Sequence, residues 1–122
     1  MKILIIDDEP LVAKTLKRLL RAYDVQVLHS PHEGLEAVCS DSYDLIFCDL
    51  MMPEMSGSEL YAIVQERAPQ VCGKFIFITG GAFSVESEEF LNTSGKRVLY
   101  KPFDRKTLQA IIESATSTTG TS

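Results

Sequence analysis

The sequence predicts a doubly wound α/β domain, a five-stranded parallel sheet with helices on both faces. Three observations predict it. Ile3-Leu4-Ile5-Ile6, Leu45-Ile46-Phe47-Cys48 and Phe75-Ile76-Phe77-Ile78 are short continuous apolar runs, as central parallel strands covered on both faces require. Segments with apolar residues at helical spacing lie between such runs. The two kinds alternate from end to end, which calls for right-handed crossovers. The length of 122 residues, with 45% apolar and 24% charged, suits one ordinary domain.

Taken in order, Ile3–Ile6 is the first strand. Leu11, Val12, Leu16, Leu19, Leu20 and Tyr23 mark the apolar face of the first helix. Val25-Gln26-Val27-Leu28, broken by a polar residue, reads as a strand nearer the sheet edge. Ser30-Pro31-His32-Glu33 supplies an N-cap, a first-turn proline and a capping-box glutamate for the second helix. After the third strand, Ser56 and Glu59 repeat the capping-box spacing, and Leu60, Ile63 and Val64 form the face of a third helix. After the fourth strand, the acidic segment Ser84 to Leu91 is read as a helix, and Val98-Leu99-Tyr100 as the last strand. Leu108, Ile111 and Ile112 mark a final helix. Periodicity ends at Ala115, so residues 1–115 are expected to form the domain and 116–122 a flexible tail or the start of a linker.

Composition narrows the function. Twelve basic against seventeen acidic residues, a net charge of -5, leave no broad positive surface for nucleic-acid phosphates, so direct nucleic-acid binding is not expected. The apolar runs are far shorter than the roughly 20 residues that span a bilayer, and no leader-like segment precedes the first of them. A cytoplasmic domain without membrane insertion is the expectation. Cys39, Cys48 and Cys72 lack metal-site spacing and are read as core or surface thiols.

In parallel α/β sheets the ligand site lies beyond the carboxyl ends of the strands. Here those ends carry Asp7-Asp8-Glu9, Asp49, Thr79-Gly80-Gly81 and Lys101-Pro102. Carboxylates converging on one rim repel one another, and a hard divalent cation, with Mg²⁺ the natural candidate, offsets that repulsion. Thr79 offers a hydroxyl and Lys101 a compact cation, a set able to hold a tetrahedral dianion on a carboxylate.

These motifs, with the run from Asp49 through Pro53 to Gly57 and Lys101-Pro102-Phe103, resemble those of two-component response-regulator receiver domains over essentially the whole chain. The resemblance implies a flavodoxin-like fold with strand order 2-1-3-4-5. It implies that Asp49 is the phosphoacceptor, taking a phosphoryl group from the phosphohistidine of a sensor histidine kinase or histidine phosphotransfer protein. Asp7, Asp8, Asp49 and the backbone carbonyl of Met51 would hold Mg²⁺, and Thr79 and Lys101 the phosphoryl oxygens. Lys101–Pro102 would be a cis peptide. Asp49, ionised at neutral pH, would need no separate base. The domain would be a signalling module that catalyses its own phosphorylation and dephosphorylation rather than an enzyme. It would pass the event to an output domain or effector protein, or act as the receiver of a hybrid sensor histidine kinase.

Two positions depart from the family pattern: Val98 stands where many receivers carry a switching aromatic, and Gly80 replaces the commoner alanine. Simpler roles compete at single positions. Asp8 could cap the first helix, Asp49 and Thr79 could be loop and turn residues, and Lys101 a solvated strand-end lysine. The basic stripe Lys14, Lys17, Arg18 and Arg21 reads as a solvated face or a docking face, and His29 and His32 receive no role. A Mg²⁺-dependent phosphohydrolase is the rival from another class, but Met51 stands where such enzymes carry an acid/base aspartate. A binding-only pseudo-receiver is the third reading.

Overall fold

The computed structural model describes residues 1–80, 89–90 and 97–121. In chain order these form β1 (Lys2–Ile6), α1 (Pro10–Leu19), β2 (Asp24–Leu28), α2 (Pro31–Ser40), β3 (Leu45–Asp49), α3 (Gly57–Arg67), a 3₁₀ turn (Pro69–Lys74), β4 (Phe75–Thr79), β5 (Arg97–Tyr100) and α4 (Arg105–Thr121). The strands pair in parallel in the order β2-β1-β3-β4-β5, the flavodoxin-like order. Of the acidic segment expected as a helix, Glu89 and Phe90 are helical, and the rest lies outside the described residues.

Successive strand side chains point to opposite faces, and this splits the core in two. Leu4, Ile6, Ile46, Cys48, Phe75 and Phe77 pack with Leu35 and Val38 of α2 and Leu60, Tyr61 and Val64 of α3. Ile3, Ile5, Leu45, Phe47, Ile76, Ile78 and Leu99 pack with Ala13 and Leu16 of α1 and Leu108 and Ile112 of α4. Phe47, Phe75 and Phe77 are fully buried, each stabilising the fold by roughly 2–3 kcal/mol through loss of apolar surface from water. Tyr61 meets Phe75, Phe77 and Phe90 edge-on, at ring separations of 5.3 to 5.7 Å.

The capping signals are realised in full at α3 and in half at α2, where Glu33 returns no side-chain bond to the Ser30 backbone. Ser30 Oγ accepts the Glu33 N–H at the start of α2. At α3 the capping box is reciprocal: Ser56 Oγ accepts from Glu59 N at 3.2 Å and Glu59 Oε1 from Ser56 N at 3.0 Å. Two details differ from the periodic reading. Leu11 is 78% exposed, because at about 100° per residue it lies nearly opposite Ala13 and Leu16, the buried residues of α1. The backbone of α4 stays helical past Ala115 to Thr121. Side-chain periodicity reports which face is buried, whereas the helix is held by backbone bonds, and Thr116 Oγ1 donates to the Ile112 carbonyl at 2.9 Å.

Candidate functional site

The backbone ladder continues one residue beyond the strands and sets their ends in register. Asp7 N bonds Leu28 O at 3.1 Å, Leu50 N bonds Ile78 O at 3.0 Å and Lys101 N bonds Thr79 O at 2.8 Å. Asp7, Asp49, Thr79 and Lys101 thereby meet at one rim, with Asp7, Asp49 and Thr79 buried. The Lys101–Pro102 peptide is cis, as the family resemblance implies.

Carboxylate oxygens of Asp7, Asp8 and Asp49 all lie within 4.8 Å of one another. Each acid keeps one buried oxygen without a hydrogen-bond partner: Asp7 Oδ2, Asp8 Oδ1 and Asp49 Oδ2. The second oxygens of Asp7 and Asp49 are held, Asp7 Oδ1 by the Glu9 N–H at 2.9 Å and Asp49 Oδ1 by the Met51 N–H at 3.1 Å. Three orphaned, all-oxygen donors in one space are a donor set for a hard divalent cation. Asp8 does not cap α1: the N-cap residue is Glu9, and no side chain caps that end.

Burial, and then the charge of Asp7, push Asp49 up to about 7, against the opposing pull of the Met51 N–H and Lys101. Asp7 is raised as well, chiefly by burial, despite the Glu9 N–H and Lys101. Without a cation, then, Asp49 is only part-ionised at neutral pH, short of the full ionisation that its ordinary pKa implies. A divalent cation among these oxygens favours the charged forms.

Lys101 Nζ donates to Glu9 Oε1 at 2.8 Å. Burial works to lower the Lys101 pKa, but the Glu9 bond and the charges of Asp49, Asp7 and Glu9 raise it, so it carries its proton. Two contacts were not legible in sequence. Glu9 is the ion-pair partner of Lys101. His29, given no role, donates from Nδ1 to the Asp7 carbonyl at 3.0 Å and so fixes the Asp7–Asp8 peptide. Its place one residue past Leu28, which pairs with Ile6, is the signal that could have found it.

Gly57 closes the loop after Asp49 onto the strand end, its N–H on Leu50 O at 2.9 Å. A Cβ there would lie 2.6 Å from the Asp49 carbonyl oxygen. At Gly80 a Cβ would meet open space among the described residues. Val98 is half-buried, while Tyr100 is 54% exposed beside Thr79, its partner in the β4–β5 register. Cys48 and Cys72 are buried and Cys39 is half-buried, all as free thiols.

Fold and site together define a class: a flavodoxin-like α/β domain that gathers carboxylates, a hydroxyl and an ammonium at the carboxyl edge of its sheet. Within that class, the sequence profile of the response regulator receiver domain matches residues 3–113, and the chain belongs to that family, the receiver module of two-component signalling. It is 34% identical over 116 residues to the transcriptional regulatory protein ZraR of Escherichia coli, covering 93% of this chain and 26% of that one. It is 32% identical over 113 residues to the response regulator ArlR of Staphylococcus saprophyticus, covering 91% and 50%. The chain thus spans half or less of these curated relatives. The receiver domain of the Pseudomonas aeruginosa sensor histidine kinase PA1611, with a magnesium ion in its active site cleft, superposes with a TM-score of 0.80 at 23% identity. That match covers 93% of this chain and 94% of the other, and it is a likeness of fold. Among the described residues no helix is long and apolar enough to cross a membrane.

Proposed function

We propose that this domain accepts a phosphoryl group on Asp49 from the phosphohistidine of a sensor histidine kinase or histidine phosphotransfer protein, and signals by a conformational shift. The observation that carries the reading is the trio of buried, unpartnered oxygens on Asp7, Asp8 and Asp49, with the Lys101 ammonium at the same rim. Mg²⁺ fits that donor set, with Asp7, Asp8, Asp49 and the Met51 carbonyl as its protein ligands. When bound, it supplies charge neutralisation for in-line transfer at phosphorus.

The chain's own residues then position the reaction. The Met51 N–H, on Asp49 Oδ1, orients that carboxylate. An Asp49 oxygen forms the new P–O bond as the P–N bond to the donor imidazole breaks, and the leaving imidazole takes up a proton. Lys101 and Thr79 hold the phosphoryl oxygens, and His29 keeps the Asp7–Asp8 peptide in place through the Asp7 carbonyl. The domain performs this transfer, and the later loss of the group, on itself. A receiver ending near residue 115 accords with a family match that stops at residue 113 and with Ile112 and Ala115 packed on the core. Residues 116–122 then lead into a tail or linker, and the greater length of the relatives supports an output domain or effector as recipient of the signal. The placement is cytoplasmic, where such kinases present their phosphohistidine.

The test is labelling with a small phosphodonor such as phosphoramidate in the presence of Mg²⁺, followed by borohydride reduction and peptide mass mapping. One phosphoryl group per chain, located at Asp49, is expected. Excess chelator is expected to slow labelling on the order of 100-fold or more, as loss of several kcal/mol of charge stabilisation dictates. Phosphate at another residue, or full labelling in chelator, would overturn the assignment.

A further inference from the structure

We infer that Glu9 is a positioning residue that parks Lys101 in an ion pair at the rim, which the lysine must leave to engage a phosphoryl group on Asp49. The inference rests on the phosphoacceptor reading above and adds a residue to it.

Three observations carry it. Glu9 is the N-cap residue of α1, where a carboxylate's nearest partners are the helix's own N–H groups, yet its side chain makes no cap bond. It reaches instead to Lys101, 92 positions along the chain, at 2.8 Å. Second, among the described residues this is the only ion pair of Lys101, although Asp7 and Asp49 act on the same ammonium through space. Third, both backbones are pinned: Glu9 N on Asp7 Oδ1 at 2.9 Å and Lys101 N on Thr79 O at 2.8 Å. Only the two side chains are free to part.

The pair is asymmetric. The Lys101 side chain is 22% exposed and that of Glu9 58%. Water therefore weakens the contact from the glutamate side, while a dianion on buried Asp49 attracts the lysine through less water. Binding such an anion exchanges one ion pair for another, and Glu9 sets how much of the second is lost in breaking the first.

The experiment compares wild type with Glu9→Gln, which keeps length and hydrogen-bonding capacity but removes the charge. Beryllofluoride, added with Mg²⁺, serves as the phosphoryl mimic. Glu9→Gln is expected to tighten beryllofluoride binding about two- to fivefold, the range that loss of a part-exposed ion pair allows. In metal-free protein the ¹⁵N-ammonium NMR signal of Lys101, slowed in solvent exchange by Glu9, is expected to broaden or vanish in the variant. Unchanged affinity overturns the inference, as does tighter binding with an unchanged Lys101 signal, which marks a general effect of charge. A wild type that neither binds the mimic nor takes phosphate at Asp49 counts instead against the phosphoacceptor reading itself.

Discussion

Asp49→Asn is expected to slow phosphorylation by about 10³-fold or more while making the metal-free domain more stable at neutral pH. The first effect removes the nucleophile, since an amide oxygen carries no charge to attack phosphorus. The second follows from the crowding of Asp49 against Asp7 in a buried site. Asp49 titrates near 7 in the folded chain, against about 3.9 for an unfolded aspartate. Between those values the folded chain keeps a proton that the unfolded chain has released. The stabilising contribution is therefore complete below pH about 4 and is lost as pH rises through 7. Asparagine does not titrate, so the variant escapes that loss. Its advantage should be near zero at pH 4 and reach about 2–4 kcal/mol above pH 7. Urea denaturation in chelator across pH 4 to 8 measures it, and Mg²⁺ should narrow the gap by stabilising only a chain with its carboxylates intact. A variant no more stable than wild type at pH 7.5 would show that the acidic cluster is not strained.

Gly57→Ala is expected to destabilise the fold by about 3 kcal/mol and to impair phosphorylation with it. The added Cβ would stand 2.6 Å from the Asp49 carbonyl oxygen and 2.9 Å from Leu50 Cα. Both obstacles are backbone, and neither can yield easily. Leu50 N is bound to Ile78 O, and Gly57 N to Leu50 O. Relief must therefore come from moving the start of α3 or the residue that bears the phosphoacceptor carboxylate. Gly34→Ala is the informative comparison, because the three atoms nearest its Cβ, at 2.7 to 2.8 Å, all belong to the Ile6 side chain and none to backbone, although Ile6 is β-branched and fully buried. It should also cost stability, through overpacking, but leave phosphorylation rates closer to wild type than Gly57→Ala does, because no backbone atom of the Asp49 loop is displaced. Urea melts of both variants, with phosphodonor kinetics, check the contrast; a loss under about 1 kcal/mol for Gly57→Ala would refute the packing argument.

The accuracy of the sequence reading varies with the range of the interaction. Strands, and helices such as α3 with its Ser56–Glu59 box, were legible because periodicity and capping depend on residues a few positions apart. Leu11 was misread because its apolar character grouped it with the face of α1, whereas its angular position sets it nearly opposite the buried Ala13 and Leu16. Gly57 was visible as part of a motif, but its reason, the nearness of the Asp49 carbonyl, was not. His29 looked idle until β2 was paired with β1.

By itself, then, the sequence determined the β-α alternation, the strand ends that carry Asp7, Asp8, Asp49, Thr79 and Lys101, and, through family resemblance, the strand order. These follow from local hydrophobic pattern and from the side chains placed just past each apolar run. Only the tertiary structure decided that three carboxylate oxygens are left buried and unpartnered, that Asp49 is pushed up to about 7, and that Lys101 rests on Glu9 rather than on Asp49. The physical reason is that desolvation and Coulomb energy depend on distances between residues remote in the chain. Those distances exist only once the parallel ladder has brought the strand ends together.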